Sequence, residues 1–169
     1  MFINFWYPAG RSTDLTGTPV RRRILAQDFV LWRDGAGQVH CLANTCIHRG
    51  ASLADGKVRD GEVQCPYHGW RFAGDGRCTA IPSLGKHARI PGRARVDAYP
   101  VKEKYGLVFV FLGDLPEEQR CPIMEIAEYR GDQPDPGWRA TIQHFEWDID
   151  YQRSIENGLD PAHNEFVHP

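Results

Sequence analysis

The feature that most constrains this chain is a pair of short segments, each with one cysteine and one histidine. The first segment contains Cys46 and His48, and the second, which starts after sixteen intervening residues, contains Cys65 and His68. Thiolate sulfur and imidazole nitrogen are common ligands of transition metals in proteins. Because each segment supplies only two such ligands, we expect the fold to bring two loops together and to hold them rigidly.

Two kinds of metal group fit this ligand set. A 2Fe–2S centre of the Rieske type takes two cysteines on one iron and two histidines on the other, whereas a structural zinc ion takes all four ligands itself. Zinc fingers usually place a cysteine pair before a histidine pair, but here each loop contains one of each. This order favours the 2Fe–2S centre, with Cys46 and Cys65 on the inner iron and His48 and His68 on the outer iron, nearer to solvent. Zinc and a plain structural role remain the alternatives.

Composition and charge exclude several classes of function. Of the 169 residues, 41% are hydrophobic and 25% are charged, as in ordinary soluble globular proteins. The formal net charge of −2 argues against a nucleic-acid partner, which would need a basic face. The longest apolar run, residues 107–112, is too short to span a membrane, and residues 1–6 lack the basic start of a secretory signal. Three further cysteines fit reduced thiols in a cytoplasmic protein, namely Cys41, Cys78 and Cys121.

One short basic run has two interpretations. Arg21, Arg22 and Arg23 are consecutive and precede an apolar stretch. They could form the solvated edge of a strand, or they could form a docking patch for an acidic redox partner. The strand edge is the simpler hypothesis.

Residues 1–113 are predicted to form a mainly β domain, as a sandwich or barrel, because short apolar strands alternate with turn signals. A glycine-rich turn at 34–37 is typical of a hairpin, and residues 107–111 are predicted to form a buried closing strand. We expect both ligand loops at the tips of hairpins, where a rigid sheet can direct side chains at a metal. Gly50 and Gly69 suit tight turns in these loops.

Beyond residue 113 the pattern changes. Residues 114–137 are polar and rich in proline, as expected of a connector. Residues 138–169 are predicted to begin a second domain, with a strand over 138–145 and a helix over 148–159.

The end of the chain contains a second set of possible ligands. Asp160 and His163 are three residues apart, so on a helix they would share one face. His163 and His168 are five apart and would need a local π-turn or a helix end to meet. Two histidines and one carboxylate on a ferrous ion leave positions open for dioxygen. Alternatively, Asp160 is a helix N-cap before Pro161, and the histidines are surface residues.

Together, the two motifs make the chain resemble the N-terminal part of the oxygenase (α) subunit of a Rieske non-haem iron ring-hydroxylating oxygenase. The resemblance covers the cluster motif at 46–70 and the Asn-x-x-Asp-x-x-His-x4-His motif at 157–168. It implies that His163 and His168 bind a mononuclear Fe(II). The family's third ligand, a carboxylate, lies well beyond Pro169, so the resemblance leaves this iron site incomplete.

The resemblance also implies how the two centres communicate. In the family, an aspartate at the position of Asp160 links a Rieske histidine of one subunit with an iron ligand of its neighbour in a ring-shaped homotrimer. Here, the link would join His68 of one chain to His163 of the next. Asn157 matches a family residue near the electron path.

The implied protein is a cytoplasmic terminal oxygenase of aromatic compound catabolism, in which residues 138–169 begin an α+β catalytic domain. It would receive electrons from NAD(P)H through a ferredoxin or a flavin reductase, and it would use O₂ to hydroxylate or O-demethylate an aromatic or other hydrophobic substrate. Residues 4–8 and 166–168 resemble the branch that contains O-demethylases. One alternative is a non-catalytic Rieske electron-transfer protein, whose resemblance would end near residue 113. Another is a zinc-stapled structural or binding module.

Overall fold

The chain consists of two compact units in a computed structural model that describes residues 3–85 and 88–167. The units are Met1–Pro136 and Gly137–Pro169. Among the described residues, the first unit contains twelve strands and the second contains two helices. The strands are β1 (Phe5–Arg11), β2 (Val20–Ile24), β3 (Gln27–Arg33), β4 (Val39–Ala43), β5 (Lys57–Arg59), β6 (Glu62–Gln64), β7 (Arg71–Phe72), β8 (Cys78–Ala80), β9 (Val101–Lys104), β10 (Leu107–Leu112), β11 (Tyr129–Arg130) and β12 (Gln133–Pro134), and the helices are α1 (Tyr151–Leu159) and α2 (Asn164–Val167).

Antiparallel pairing organises the strands into four sheets. Their orders are β1-β10-β9, β2-β3-β4, β5-β6-β7-β8 and β11-β12. The prediction of a mainly β first domain is therefore confirmed, and β10 is the buried strand expected at 107–111. The turn predicted at 34–37 joins β3 to β4, and the amide of Gly37 donates to the carbonyl of Asp34 across it (3.0 Å).

Strand β3 lies in the middle of the first unit and buries both of its faces. Its sequence from Phe29 to Trp32 is an unbroken apolar run, which is typical of a strand covered on both sides. Successive side chains of a strand point to opposite faces. Phe29 and Leu31 therefore enter one core, while Val30 and Trp32 enter another.

Each of these two cores packs another sheet against one face of the sheet β2-β3-β4. The first core packs this sheet against β5-β6-β7-β8 and contains both motif cysteines; its members are Val30, Trp32, Leu42, Cys46, Leu53, Val63, Cys65, Phe72, Cys78, Ile81, Ala94 and Val96. The second core packs the same sheet against β1-β10-β9; its members are Ala9, Leu15, Phe29, Leu31, Val39, Cys41, Val108, Val110 and Leu112. The candidate metal loops thus emerge from one core, and the second core supports the sheet from behind.

The secondary structure of the second unit agrees with one sequence prediction and contradicts another. The helix expected at 148–159 is present as α1, and the side chain of Asp150 caps it by accepting from the amide of Gln152 (2.9 Å). The strand predicted over 138–145 is wrong, because the described residues show no strand there. A strand is stable when its backbone groups pair with a neighbour, and the described part of this unit offers none. No described helix has the length and apolarity needed to cross a membrane.

The basic run at 21–23 lies on β2, where its side chains have partners. Arg21 pairs with Asp28 on β3, and Arg22 donates through Nε to the carbonyl of Ala9 (2.7 Å). Arg23 also lies within 3.9 Å of Asp28. These contacts favour the strand-edge hypothesis over a docking patch.

The turn between β2 and β3 is strained. Ile24 pairs with Gln27, so Leu25 and Ala26 form a two-residue turn with φ values of +49° and +62°. This left-handed geometry suits the twist of a hairpin but favours glycine or asparagine. The predicted Asp60-Gly61 turn between β5 and β6 has the same geometry, with glycine in second place at φ +81°.

We expect Ala26→Gly to raise the free energy of unfolding by about 1 kcal/mol, because an L-residue in the left-handed region costs roughly 1–2 kcal/mol and glycine regains part of that. Urea unfolding of the purified protein measures the change. Gly61→Ala is the matched control: it places a Cβ at the equivalent position of the other turn, 3.6 Å from Cβ of Asp34 and so at an ordinary contact distance, and should lower stability by about 1 kcal/mol. Equal effects of the same sign from both variants would contradict the strain argument.

Candidate functional site

The two ligand loops close through the same pattern of backbone hydrogen bonds. The amide of Cys46 donates to the carbonyl of the residue five positions on (2.9 Å), and its own carbonyl accepts from the amide of Gly50 (2.8 Å). The amide of Cys65 likewise donates to the carbonyl five positions on (2.8 Å), and its carbonyl accepts from Gly69 (3.1 Å). Each cysteine is therefore held at the base of a closed loop, and the two loops are structural equivalents.

Glycine is required at the end of each loop. Gly50 and Gly69 have φ values of +74° and +72°, in the left-handed region. At Gly69, a Cβ would also lie 3.1 Å from the side chain of Pro82. These are the two glycines that the sequence analysis assigned to tight turns.

The structure brings the four predicted ligands together as two pairs. Cys46 and Cys65 are only 1% and 3% exposed, and their thiols are close enough to influence each other's protonation. The ring centroids of His48 and His68 are 4.6 Å apart, with His48 half-buried and His68 exposed. The cysteines thus lie inside and the histidines outside, in the arrangement expected for the inner and outer irons.

A buried asparagine that the sequence analysis missed braces the first loop. Asn44 accepts through Oδ1 from the amide of Ala54 (2.8 Å) and donates through Nδ2 to Oγ of Ser52 (3.1 Å). Its carbonyl also accepts from the amide of Leu53 (2.8 Å). The sequence position of Asn44 could have indicated this role, because Asn44 is a polar residue directly after a buried strand and two residues before Cys46.

Trp70 is a second neighbour whose contact was not foreseen. Its ring stacks on that of His48, with centroids 4.6 Å apart and planes within 7° of parallel. Trp70 follows His68 by two residues, so both loops contribute to the stack. The indole fixes the plane of the His48 ring, and contacts of this kind around a metal ligand tune the metal.

The protonation chemistry of these residues fits metal binding. Burial raises the pKa of the Cys46 thiol to about 11, and the neighbouring Cys65 acts in the same direction. A thiolate at this position therefore needs a cation to compensate its charge. Partial burial lowers the pKa of His48, which favours the neutral ring that binds metals, and its Nδ1 is buried without a hydrogen-bond partner among the described residues. This atom is placed to serve as a ligand.

The pairing of ligands distinguishes the two metal hypotheses. The described residues present the four candidate ligands as a cysteine pair and a histidine pair. A structural zinc ion would need four ligands around one point, whereas each iron of a Rieske centre takes two from the protein. The two pairs therefore fit the 2Fe–2S centre better than zinc.

The second set of candidate residues lies at the end of α1. Asn157, Asp160 and His163 line a cavity of about 450 Å³. Oδ2 of Asp160 is 3.5 Å from Nδ1 of His163. His168, the other predicted iron ligand, lies outside the described residues.

The route by which Asp160 meets His163 differs from the prediction. They do not share one helix face, because Asp160 ends α1 and His163 precedes α2. The break has a local cause: Pro161 cannot continue a helix, and Oδ1 of Asp160 accepts from the amide of Ala162 (2.9 Å). A turn, rather than a helical face, therefore brings carboxylate and imidazole together.

Comparison with known proteins agrees with the loop geometry. The family model described as the Rieske [2Fe-2S] domain matches residues 5–100. The chain belongs to this family.

Its relatives define the class of protein more closely. The chain is 41% identical to the phenoxybenzoate dioxygenase subunit alpha of Ectopseudomonas oleovorans, over 97% of this chain and 42% of that protein. Among solved structures, it resembles the NdmA QL mutant of Pseudomonas putida CBB5 with caffeine (TM-score 0.81, 29% identity, 98% of this chain and 49% of the other). It also resembles dicamba monooxygenase with non-heme iron and dicamba (TM-score 0.62, 36% identity, 67% of this chain and 34% of the other).

These relatives confirm the resemblance to the oxygenase subunits of Rieske non-haem iron oxygenases. The chain spans less than half the length of each of the three. The phenoxybenzoate dioxygenase and NdmA matches extend over nearly the whole chain, and so beyond the Rieske domain.

We expect Cys65→Ser to abolish cluster loading, because loss of one thiolate leaves the inner iron with a single cysteine. Iron and acid-labile sulfide analysis, with EPR of the reduced protein, measures the loss. Cys78→Ala is the matched control, because Cys78 lies in the same core but its thiol donates to the carbonyl of Ala80. A wild-type protein with stoichiometric zinc and no Rieske signal, or a Cys78→Ala variant that loses the cluster to the same extent, would contradict this ligand assignment.

Proposed function

We propose that the chain is the N-terminal part of the terminal component of a Rieske non-haem iron oxygenase. The full protein uses O₂ to hydroxylate or O-demethylate an aromatic or other hydrophobic substrate. The observation that carries this proposal is that one chain combines the paired-ligand loops with the cavity lined by Asn157, Asp160 and His163. A non-catalytic electron carrier would need the loops alone.

The donor atoms available at the loops support a 2Fe–2S cluster held by Cys46 and Cys65 on the inner iron and by His48 and His68 on the outer iron. When bound, the cluster supplies one-electron transfer, and a mononuclear Fe(II) supplies the activation of O₂. The chain contributes rigidity, because both loops are closed by backbone hydrogen bonds. Preorganised ligands lose little entropy when they bind metal.

At the second site, His163 and His168 are the proposed iron ligands, and a carboxylate from a later part of the protein completes the set. The contact between Asp160 and Nδ1 of His163 supports this proposal, because metal-binding histidines usually present their other nitrogen to a carboxylate. Asp160 is half-exposed, so it remains accessible to His68 of a neighbouring chain in a homotrimer. Asn157 lies beside it in the cavity and takes part in the same path.

The proposal includes a division of the chain into a Rieske domain at 1–113, a connector at 114–137 and the start of an α+β catalytic domain at 138–169. Large apolar side chains of the last segment are exposed, which supports their packing against further parts of that domain; they include Trp138, Phe145, Trp147 and Leu159. Electrons come from NAD(P)H through a ferredoxin or a flavin reductase. The free thiols of the described residues are in keeping with a cytoplasmic location.

In the full-length protein, we expect Asp160→Asn to leave the cluster signal unchanged and to lower turnover by about 10–100-fold, because the amide no longer holds the His163 ring as a carboxylate does. His163→Ala should remove mononuclear iron and spare the cluster. EPR, iron content and product formation are the measurements.

Asp148→Asn is the control, since it removes an exposed carboxylate from the same unit. Turnover of Asp160→Asn equal to that of the control would refute the proposed role of Asp160. Unchanged iron content in His163→Ala would refute the ligand assignment.

A further inference from the structure

A groove of about 460 Å³ opens beside the first ligand loop. Two apolar side chains of its wall face solvent, Ile47 at 45% and Leu84 at 53% exposure. Exposed apolar surface of this kind, next to charged residues, is typical of an interaction site. The residues that matter for its chemistry are Ile47, Trp70, Ile81, Leu84, Pro91 and Arg93.

The groove is connected to a candidate cluster ligand by a single side chain. Trp70 lines the groove, and the same indole stacks on His48 at 4.6 Å and within 7° of parallel. A molecule seated in the groove would therefore contact the ring that contacts His48. Electron transfer falls steeply with distance, so this is a short path from a bound partner to the outer pair of ligands.

The chain segments next to the groove carry charges of one sign in the sequence. Residues 81–96 contain four Lys or Arg residues and no Asp or Glu, and the only such charge in the loops at 46–51 and 65–70 is Arg49. Arg49, Arg89 and Arg93 are exposed, and none has an ion pair among the described residues. The basic run at 21–23, by contrast, is engaged with its own sheet. Three exposed arginines without a described ion pair thus lie on the chain segments that line the groove or on the first ligand loop, where they would attract an acidic surface.

We propose that this groove is the docking site of an acidic protein that delivers electrons, one at a time, through Trp70 to the centre at His48. In each encounter the donor's reduced iron–sulfur or flavin group loses one electron and the oxidised centre gains it, with no bond made or broken. Ile47 and Leu84 supply the apolar contact, and Arg49, Arg89 and Arg93 steer the approach. The inference rests on the proposed function and deepens it by locating the partner.

The test follows reduction of the cluster in the full-length protein by stopped-flow absorbance, with two probes. One is a reduced plant-type [2Fe–2S] ferredoxin with an acidic surface, and the other is reduced methyl viologen. We expect Arg93→Glu to slow reduction by the ferredoxin by about 10-fold or more at low ionic strength, with the difference shrinking at high salt. Reduction by methyl viologen should not be slowed, because this small cation does not depend on the cationic groove for docking.

Arg23→Glu is the matched control, because Arg23 is 64% exposed but lies on β2 among the other residues of the basic run. It should leave reduction by the ferredoxin unchanged. Equal slowing by Arg23→Glu and Arg93→Glu, or no slowing by either, would overturn the docking site.

Trp70→Leu tests the path rather than the docking. We expect slower reduction by the ferredoxin at saturating concentration, where a change in ferredoxin affinity no longer affects the rate, and a smaller loss of rate with methyl viologen, which can reach the exposed His68. Absorbance, EPR and the midpoint potential establish that the cluster is intact. An unchanged saturating rate, or a loss of rate accounted for by a shifted potential, would overturn the role of Trp70 as a path.

Sedimentation velocity separates this partner from a second copy of the chain. If Arg93→Glu dissociates an oligomer and leaves reduction by the ferredoxin unchanged, the groove is an interface between copies and the proposal fails. Failure of the proposed function would be visible earlier, as the absence of a Rieske signal in the wild-type protein.

Discussion

The contact between the thiols of Cys46 and Cys65, inside an apolar core, is the constraint on which the first unit depends. Each cysteine lies on a separate loop. The two sulfurs can therefore lie close together only if both loops adopt equivalent closed conformations and are held in place by neighbouring residues. Identical backbone hydrogen bonds close them, and Asn44 ties the first loop to the residues that follow it. Burial makes a thiolate costly here, and a bound cation offsets that cost. The same burial that packs the core therefore prepares it for metal.

The packing of the sheets buries one side of this site and leaves the other side at the surface. Strand β3 divides its side chains between two cores, and the first core surrounds the cysteines. The histidines lie at the surface, but in different settings: His48 is stacked under Trp70, whereas His68 is exposed. This asymmetry allows the two rings to serve different directions of electron flow. Trp70 connects His48 to a cationic groove, and His68 is accessible to a neighbouring chain.

Local patterns in the sequence predicted much of the fold. The Asp60-Gly61 turn, the helix near 148–159 and the closing strand all follow from turn chemistry or periodicity. The strand expected over 138–145 failed because apolar residues alone do not supply a pairing partner. Asn44 and Trp70 escaped notice because their importance lies in contacts that are invisible in a linear pattern. Asp160 and His163 do meet, but Pro161 interrupts the helix that their spacing suggested.

The sequence by itself determined the chemistry of the candidate centre: two thiols, two imidazoles, their order along the chain and the glycines that close their loops. These follow from residue type and short spacing, which local backbone geometry translates directly. Only the tertiary structure decided which ligands are buried, which ring stacks on an indole and which side chains line the groove beside that indole. Those properties arise from residues distant in sequence that become neighbours when β2-β3-β4 packs against β5-β6-β7-β8. Burial and stacking are properties of that packing, so no local pattern could specify them.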